Sequence, residues 1–232
     1  MADIVDQDRW GICGFVSVLN GLRAAHKLTK WTDGKSSELS LPEIQTRLYA
    51  EIVTYLKYLV FTKSPLVAQI EEISSICSPS GTPKRNIDQI VRFIEGRLRE
   101  IATNGGSESS IQKQMQALIQ GEGDNSITVA MTPDSLVDYM TWAGVKNAVN
   151  AKLETTMNTS DNLLTHKNCI IGVGGKVDAK AKYNGLQHWI YVDKEGVLNN
   201  WGDKTPLKSG TSGVDLFGDW ATFITHVIKM PD

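Results

Sequence analysis

Cys13 is the residue in this chain best placed to do covalent chemistry, in the run Gln7-Asp8-Arg9-Trp10-Gly11-Ile12-Cys13-Gly14-Phe15. A thiol attacks as the thiolate, and the positive end of a helix together with a nearby imidazolium favours that form. A helix is expected to begin at Cys13. Gly11 and Gly14 beside it let the backbone turn sharply and let a substrate come close. The proton acceptor in such a pair is an imidazole, and His188 in Gln187-His188-Trp189-Ile190-Tyr191-Val192 lies on an expected strand. The other histidines read as structural: His26 near a helix C-terminus, His166 in a polar loop, His226 in a terminal strand. Cys77 and Cys169 follow or precede isoleucines and read as buried thiols.

These residues resemble the papain-like cysteine peptidases. In that family a Gln stands six residues before the nucleophile, a His lies far downstream, and an Asn-x-Trp-Gly motif follows on the next strand. Here Gln7 stands six before Cys13, and Asn199-Asn200-Trp201-Gly202 follows His188. The resemblance implies that the Gln7 amide and the Cys13 N–H form an oxyanion hole, that an Asn orients His188, and that Trp201 shields their hydrogen bond. It also implies a helical lobe and an antiparallel-sheet lobe with the active-site cleft between them. The His-to-Asn interval is shorter than the family's, and with neither a secretory signal nor a propeptide expected the resemblance is nearer to small bacterial effector and toxin cysteine hydrolases than to lysosomal proteases.

Two asparagines compete for the orienting role. The motif selects Asn199, two before Trp201. A hairpin with Lys194-Glu195-Gly196 as a three-residue loop instead pairs Asp193 with Val197 and Ile190 with Asn200, which puts Asn200 on the face of His188. The motif is preferred narrowly and both are kept, with Asp193 and Asp203 as remoter candidates.

Periodicity supplies the scaffold. Apolar residues at three- and four-residue steps predict helices from Cys13 to about Lys27, from Ser40 through Leu59, from Pro65 to Cys77, from Asn86 to Ala102, near Gln112 to Ile119, and from Thr132 with Pro133 at its first position to Gly144. Strands are predicted at Ser126–Ala130, Val145–Ala148, Cys169–Val173, His188–Val192, Val197–Trp201 and Phe223–Ile228, with a surface loop from Asn158 to Lys167. Helices come first and strands second, so the expected class is α+β in a single domain over 1–232, divided at about residue 122.

Composition narrows the function. With 24 Lys+Arg against 26 Asp+Glu there is no basic excess for a nucleic-acid backbone. Three cysteines, with no Cys-x-x-Cys pair, argue against zinc and for a reduced compartment. Gly172-Val173-Gly174-Gly175 is read as a strand end near the cleft rather than a dinucleotide fingerprint, so no cofactor is expected. The start of the chain carries no secretory signal and no stretch is a transmembrane span, so cytoplasmic synthesis without a membrane partner is expected, with signal-independent export left open. The expected partner is a protein or peptide substrate, with a cognate inhibitor or host target protein also open. Peptide hydrolysis is the leading activity. Glutamine deamidation, cell-wall amide cleavage and a non-enzymatic binding module are the alternatives.

Overall fold

A computed structural model describes residues 11–25, 41–78, 83–103, 127–175 and 182–231. The predicted helix near Gln112 to Ile119, the Ser40 cap, Gln7 and His26 lie outside these residues.

Helices α1 (Cys13–Ala24), α2 (Leu41–Phe61), α3 (Leu66–Cys77), α4 (Ile87–Thr103) and α5 (Pro133–Trp142) precede the sheet in the chain. Strands β1 (Asn150–Thr156), β2 (Cys169–Gly174), β3 (Leu186–Val192), β4 (Val197–Asn200), β5 (Asp203–Pro206) and β6 (Phe223–Lys229) form one antiparallel sheet in the order β1-β6-β2-β3-β4-β5. Two short helices, α6 (Asp161–Leu164) and α7 (Gly213–Phe217), lie in the connections. The class is therefore α+β. No helix among the described residues is long and apolar enough to cross a membrane.

Helix α1 is buried almost all round, as its apolar sequence requires. Phe15 makes edge contacts with Tyr139 at 4.7 Å and Tyr55 at 6.1 Å, so α2, α5 and α1 share one aromatic centre. The entry to α1 is held by the 127–131 segment: Gly11 N–H donates to Ile127 C=O and Val129 N–H to Gly11 C=O, each at 3.0 Å. Gly11 and Gly14 are needed for packing there. A Cβ on Gly11 would stand 2.6 Å from Thr128, and one on Gly14 would stand 2.9 Å from Met131.

Both faces of the sheet are covered. Ile170, Trp189, Tyr191 and Ile228 join the core made with the helices, while Ile171, Val173, Ile190, Val192 and Ile224 join a second core with Leu163 of α6 and Phe217 of α7. Successive residues of a strand point to opposite faces, so β3 serves both cores.

Three predictions from sequence are corrected. Ser126–Ala130 is no sheet strand: its described residues, 127–130, make a single parallel bridge, Thr128 with Gly11, because the run is enclosed among helices. Val145–Ala148 is turn and irregular backbone; Asn147 is at φ +59°, and the strand begins at Asn150. The polar stretch from Asn158 contains α6, anchored by fully buried Leu163.

Trp189 joins the pieces. Its indole N–H donates to Met131 C=O at 2.9 Å, and its backbone C=O accepts from Ser17 Oγ of α1 at 3.1 Å. Replacing Trp189 by Phe strands a buried carbonyl and thins the core. We expect a loss of roughly 1–3 kcal/mol in urea unfolding, with helix content retained before the transition.

Candidate active site

Where β4 leaves β3, the polar backbone of β3 becomes available. Tyr191 pairs with Asn199 and Val192 with Leu198, and β4 stops at Asn200. Trp189 faces the same side of the ladder as Tyr191 but has no partner in β4. Helix α1 comes against both of its groups: Ser17 Oγ donates to the C=O at 3.1 Å, and the N–H is turned toward the Cys13 thiol, where it favours the thiolate. The nucleophile candidate is thus fixed against the residue that follows His188.

His188 alternates with Trp189 and leaves the other face of the strand. Its Nε2 lies 2.7 Å from Asn200 Oδ1. An amide oxygen only accepts, so Nε2 carries the proton and Nδ1 is the basic nitrogen. Trp201 tilts over the ring at 5.1 Å and Trp220 meets it edge-on at 6.0 Å. Trp201 reaches this place because Trp201 (φ +46°) and Gly202 (φ +79°) form the two-residue turn between β4 and β5, where Asn200 pairs with Asp203. Positive φ at both central residues matches the twist of a tight hairpin.

The narrow preference for Asn199 is corrected. Asp193 N–H donates to Val197 C=O at 3.0 Å, so Lys194-Glu195-Gly196 is a three-residue loop with Gly196 at φ +84°. That register sets Asn199 opposite Tyr191, on the wrong face, where its amide donates to Val197 C=O at 3.1 Å. Asp193 caps the loop through Val197 N–H at 2.8 Å, and Asp203 is exposed on β5. Neither aspartate is bonded to His188.

Burial sets the protonation of the pair. Desolvation pushes the Cys13 thiol up to about 11, against the N–H groups of Trp189, Gly14 and Cys13 itself. It pushes His188 down to about 4, opposed by the Asn200 hydrogen bond. At rest the site holds a neutral thiol and a neutral imidazole, contrary to the thiolate that the helix end alone suggests. No hydrogen bond joins Cys13 to His188 among the described residues.

Other candidates fall outside the site. His226 on β6 is buried beside Trp189 at 6.1 Å, with Thr225 Oγ1 3.1 Å from Nδ1, and burial lowers it to about 4. His166 is half-buried in the connection after α6. Cys169 is buried on β2, and Cys77, half-buried at the end of α3, rests 4.0 Å from Leu186 C=O. Gly172 lies under Trp189, where a Cβ would come within 3.0 Å of the indole. Gly174 admits the Gly185 carbonyl, which a Cβ would meet at 1.8 Å. The four-residue glycine run thus serves packing as well as the strand end. No group of His, Cys, Asp or Glu able to hold a metal occurs among the described residues. Sequence reasoning missed Trp220, which has no motif around it; its one signal is an exposed-looking Trp after the Gly218 turn.

Two expectations follow. Asn200→Ala frees the imidazole, so NMR of the ring nitrogens should lose the Nε2–H tautomer preference, while Asn199→Ala should leave the His188 signals unchanged. His188 and His226 are both held below their ordinary value of 6.5, so as pH falls the unfolded chain binds their protons first. Stability is therefore full above about 6.5 and is lost toward 4, by up to roughly 3 kcal/mol per group; His226→Gln should flatten this fall in thermal melts.

No family model, curated protein or solved structure matches this chain, so the functional reading rests on the chemistry of the site itself.

Proposed function

We propose that the chain is a papain-like cysteine hydrolase that cleaves an amide bond, with Cys13 as nucleophile, His188 as general base and acid, and Asn200 as the residue that orients it. The observation that carries this reading is the 2.7 Å contact of His188 Nε2 with Asn200, on the strand whose next residue turns its N–H toward the Cys13 thiol. Cys13 at the head of a buried helix, an antiparallel sheet bearing the imidazole, and the chain order Cys, His, Asn are consistent with that family's two-lobed arrangement. Peptide bonds of a protein or peptide are the proposed substrate.

The chemistry runs from a neutral pair. As a substrate carbonyl enters, the Cys13 S–H proton passes to His188 Nδ1 while sulfur bonds to the carbonyl carbon. The developing oxyanion is taken by the Cys13 N–H, which at the first turn of α1 has no intrahelical acceptor, and by the Gln7 amide that the resemblance assigns. Collapse breaks the C–N bond as His188 protonates the leaving amine. Water then attacks the thioester, giving a proton to His188, and the acid and free thiol are released. Creating the two ions as a pair costs less than the sum of creating each apart in this buried place, since their attraction offsets part of the desolvation.

The test uses an electrophilic thiol probe and candidate peptides, read by mass spectrometry. Labelling at Cys13 with chain cleavage supports a peptidase; ammonia release with the small mass gain of deamidation, and no cleavage, would assign the site to glutamine side chains instead. We expect His188→Ala to lower kcat by roughly 10²–10⁴-fold. Activity should persist in mildly acidic solution and fall only as His188 protonates near 4. An acid limb near 6.5 would overturn the neutral resting pair.

A further inference from the structure

Gln187 is the only exposed residue of β3, and it stands immediately before His188. The ladder explains its exposure. Val173 pairs with His188, while the next residue of β2, Gly174, pairs with Leu186, so Gln187 is an extra residue on β3, a β-bulge. Strand β6 carries an extra residue too, Thr225, on the other side of β2 at the same level. Bulges bend a strand and re-aim the side chain they carry, and they recur beside active sites.

The turn Lys182–Gly185, which feeds β3, is held in an uncommon conformation. Tyr183, Asn184 and Gly185 stand in succession in the left-handed region, at φ +56°, +55° and +69°, which is costly at the two that are not glycine. Glu72 of α3 fixes this turn, accepting from Tyr183 Oη at 3.2 Å and pairing with the Lys182 ammonium. The Gly185 carbonyl then fills the space beside Gly174 where a side chain would stand. Backbone strain persists only where the surroundings over-determine it, and it gathers at functional positions. Here it leads directly into the bulge that turns Gln187 outward.

The neighbours of Gln187 belong to the candidate active site. Its Nε2 lies 3.8 Å from the point where a Cβ on Gly175 would stand, and the Trp220 carbonyl lies 3.3 Å from that same point. Trp220 itself meets the His188 ring edge-on. Having no side chain, Gly175 leaves the point open to the close approach of another backbone. The Gln187 carboxamide has no hydrogen-bond partner among the described residues. It offers two donor hydrogens and an acceptor oxygen, the complement of a peptide group's C=O and N–H.

We propose that Gln187 is a substrate-positioning residue, whose carboxamide binds a peptide group of the substrate over Gly175 and so holds the chain beside His188. The substrate class is then a polypeptide backbone rather than an isolated small amide. This deepens the hydrolase reading and rests on it.

Two epoxide probes of Cys13 test it on the full chain. One is an epoxysuccinyl group with dialanyl peptides at both ends; the other is diethyl epoxysuccinate, the same electrophile without peptide groups. The rate of labelling at Cys13 is read by mass spectrometry of the digested protein. We expect the peptide probe's rate advantage to fall about ten-fold in Gln187→Ala, the scale of one lost hydrogen-bonded pair. It should fall less in Gln187→Glu, which keeps the acceptor, loses the donors, and carries the test should the alanine variant not fold. Methylating the probe's peptide nitrogens one at a time locates the contact: at one of them the wild type loses rate and Gln187→Ala loses no more. An equal advantage in wild type and both variants, or methylation costs that match in wild type and Gln187→Ala at every nitrogen, would overturn the proposal and leave Cys13 a reactive nucleophile. No labelling of Cys13 by either probe would refute the hydrolase reading, and this proposal with it.

Discussion

The structure depends on how the polar groups of Trp189 are satisfied. This residue is buried in the centre of β3, where an unpaired backbone N–H or C=O would be costly. Strand β4 ends before it can supply a partner, so helix α1 comes against it: Ser17 Oγ binds the C=O, and the Cys13 thiol lies toward the N–H. The indole N–H reaches the Met131 carbonyl, in the same segment that is hydrogen-bonded to Gly11. One residue therefore fixes the rotation of α1 about its axis and its height along the sheet. Ser17 and Cys13, one turn apart, can meet adjacent groups of one residue only in that orientation.

The same closeness explains the electrostatics of the site. Pulling α1 onto β3 excludes water from Cys13, Trp201 and Trp220 exclude it from His188 on the other face, and each group loses the solvation that its charged form needs. Three N–H groups favour the thiolate, but they do not outweigh the burial. The tryptophans over His188 act in the same direction: Trp201 and Trp220 lie against the ring while offering the imidazole no charge. Exposure is greater on the outer side, where Trp201 is 46% exposed.

Much of the frame was legible from sequence because local signals and burial agree there. Helix α1 ends close to where its apolar steps end, and Thr132 with Pro133 caps α5 as read, with Thr132 Oγ1 accepting from Ser135 N–H. Strands β2, β3 and β6 are apolar runs buried on both faces, and such runs need no alternation to be recognised. The failures lie where local signals and tertiary context part. Ile127 to Ala130 has a strand's composition but lies against helices and pairs with one residue, so its β preference has no sheet to join. Strand β5 is short, polar and exposed throughout, and its only cause is the Trp201-Gly202 turn that folds it back on β4. Asn199 was favoured by a motif that counts positions from the Trp, whereas the structure counts from the hairpin loop.

That difference shows why register, rather than residue identity, decides the site. Both faces of β3 are buried, so a slip of one residue would drive His188 into the helical core and expel Trp189 from its place beside Met131. The hydrophobic patterning on the two faces resists such a slip over the whole length of the strand. The loop at Gly196 then transmits the register to β4, and the diagonal neighbour of His188 on its own face becomes Asn200. The placement of the imidazole and of the Asn200 amide is thus stabilised by packing of their neighbours on the same face, Ile190, Val192 and Leu198. Substitutions there that keep volume and apolarity preserve this register, while a polar group at any of them would weaken the face that His188 needs.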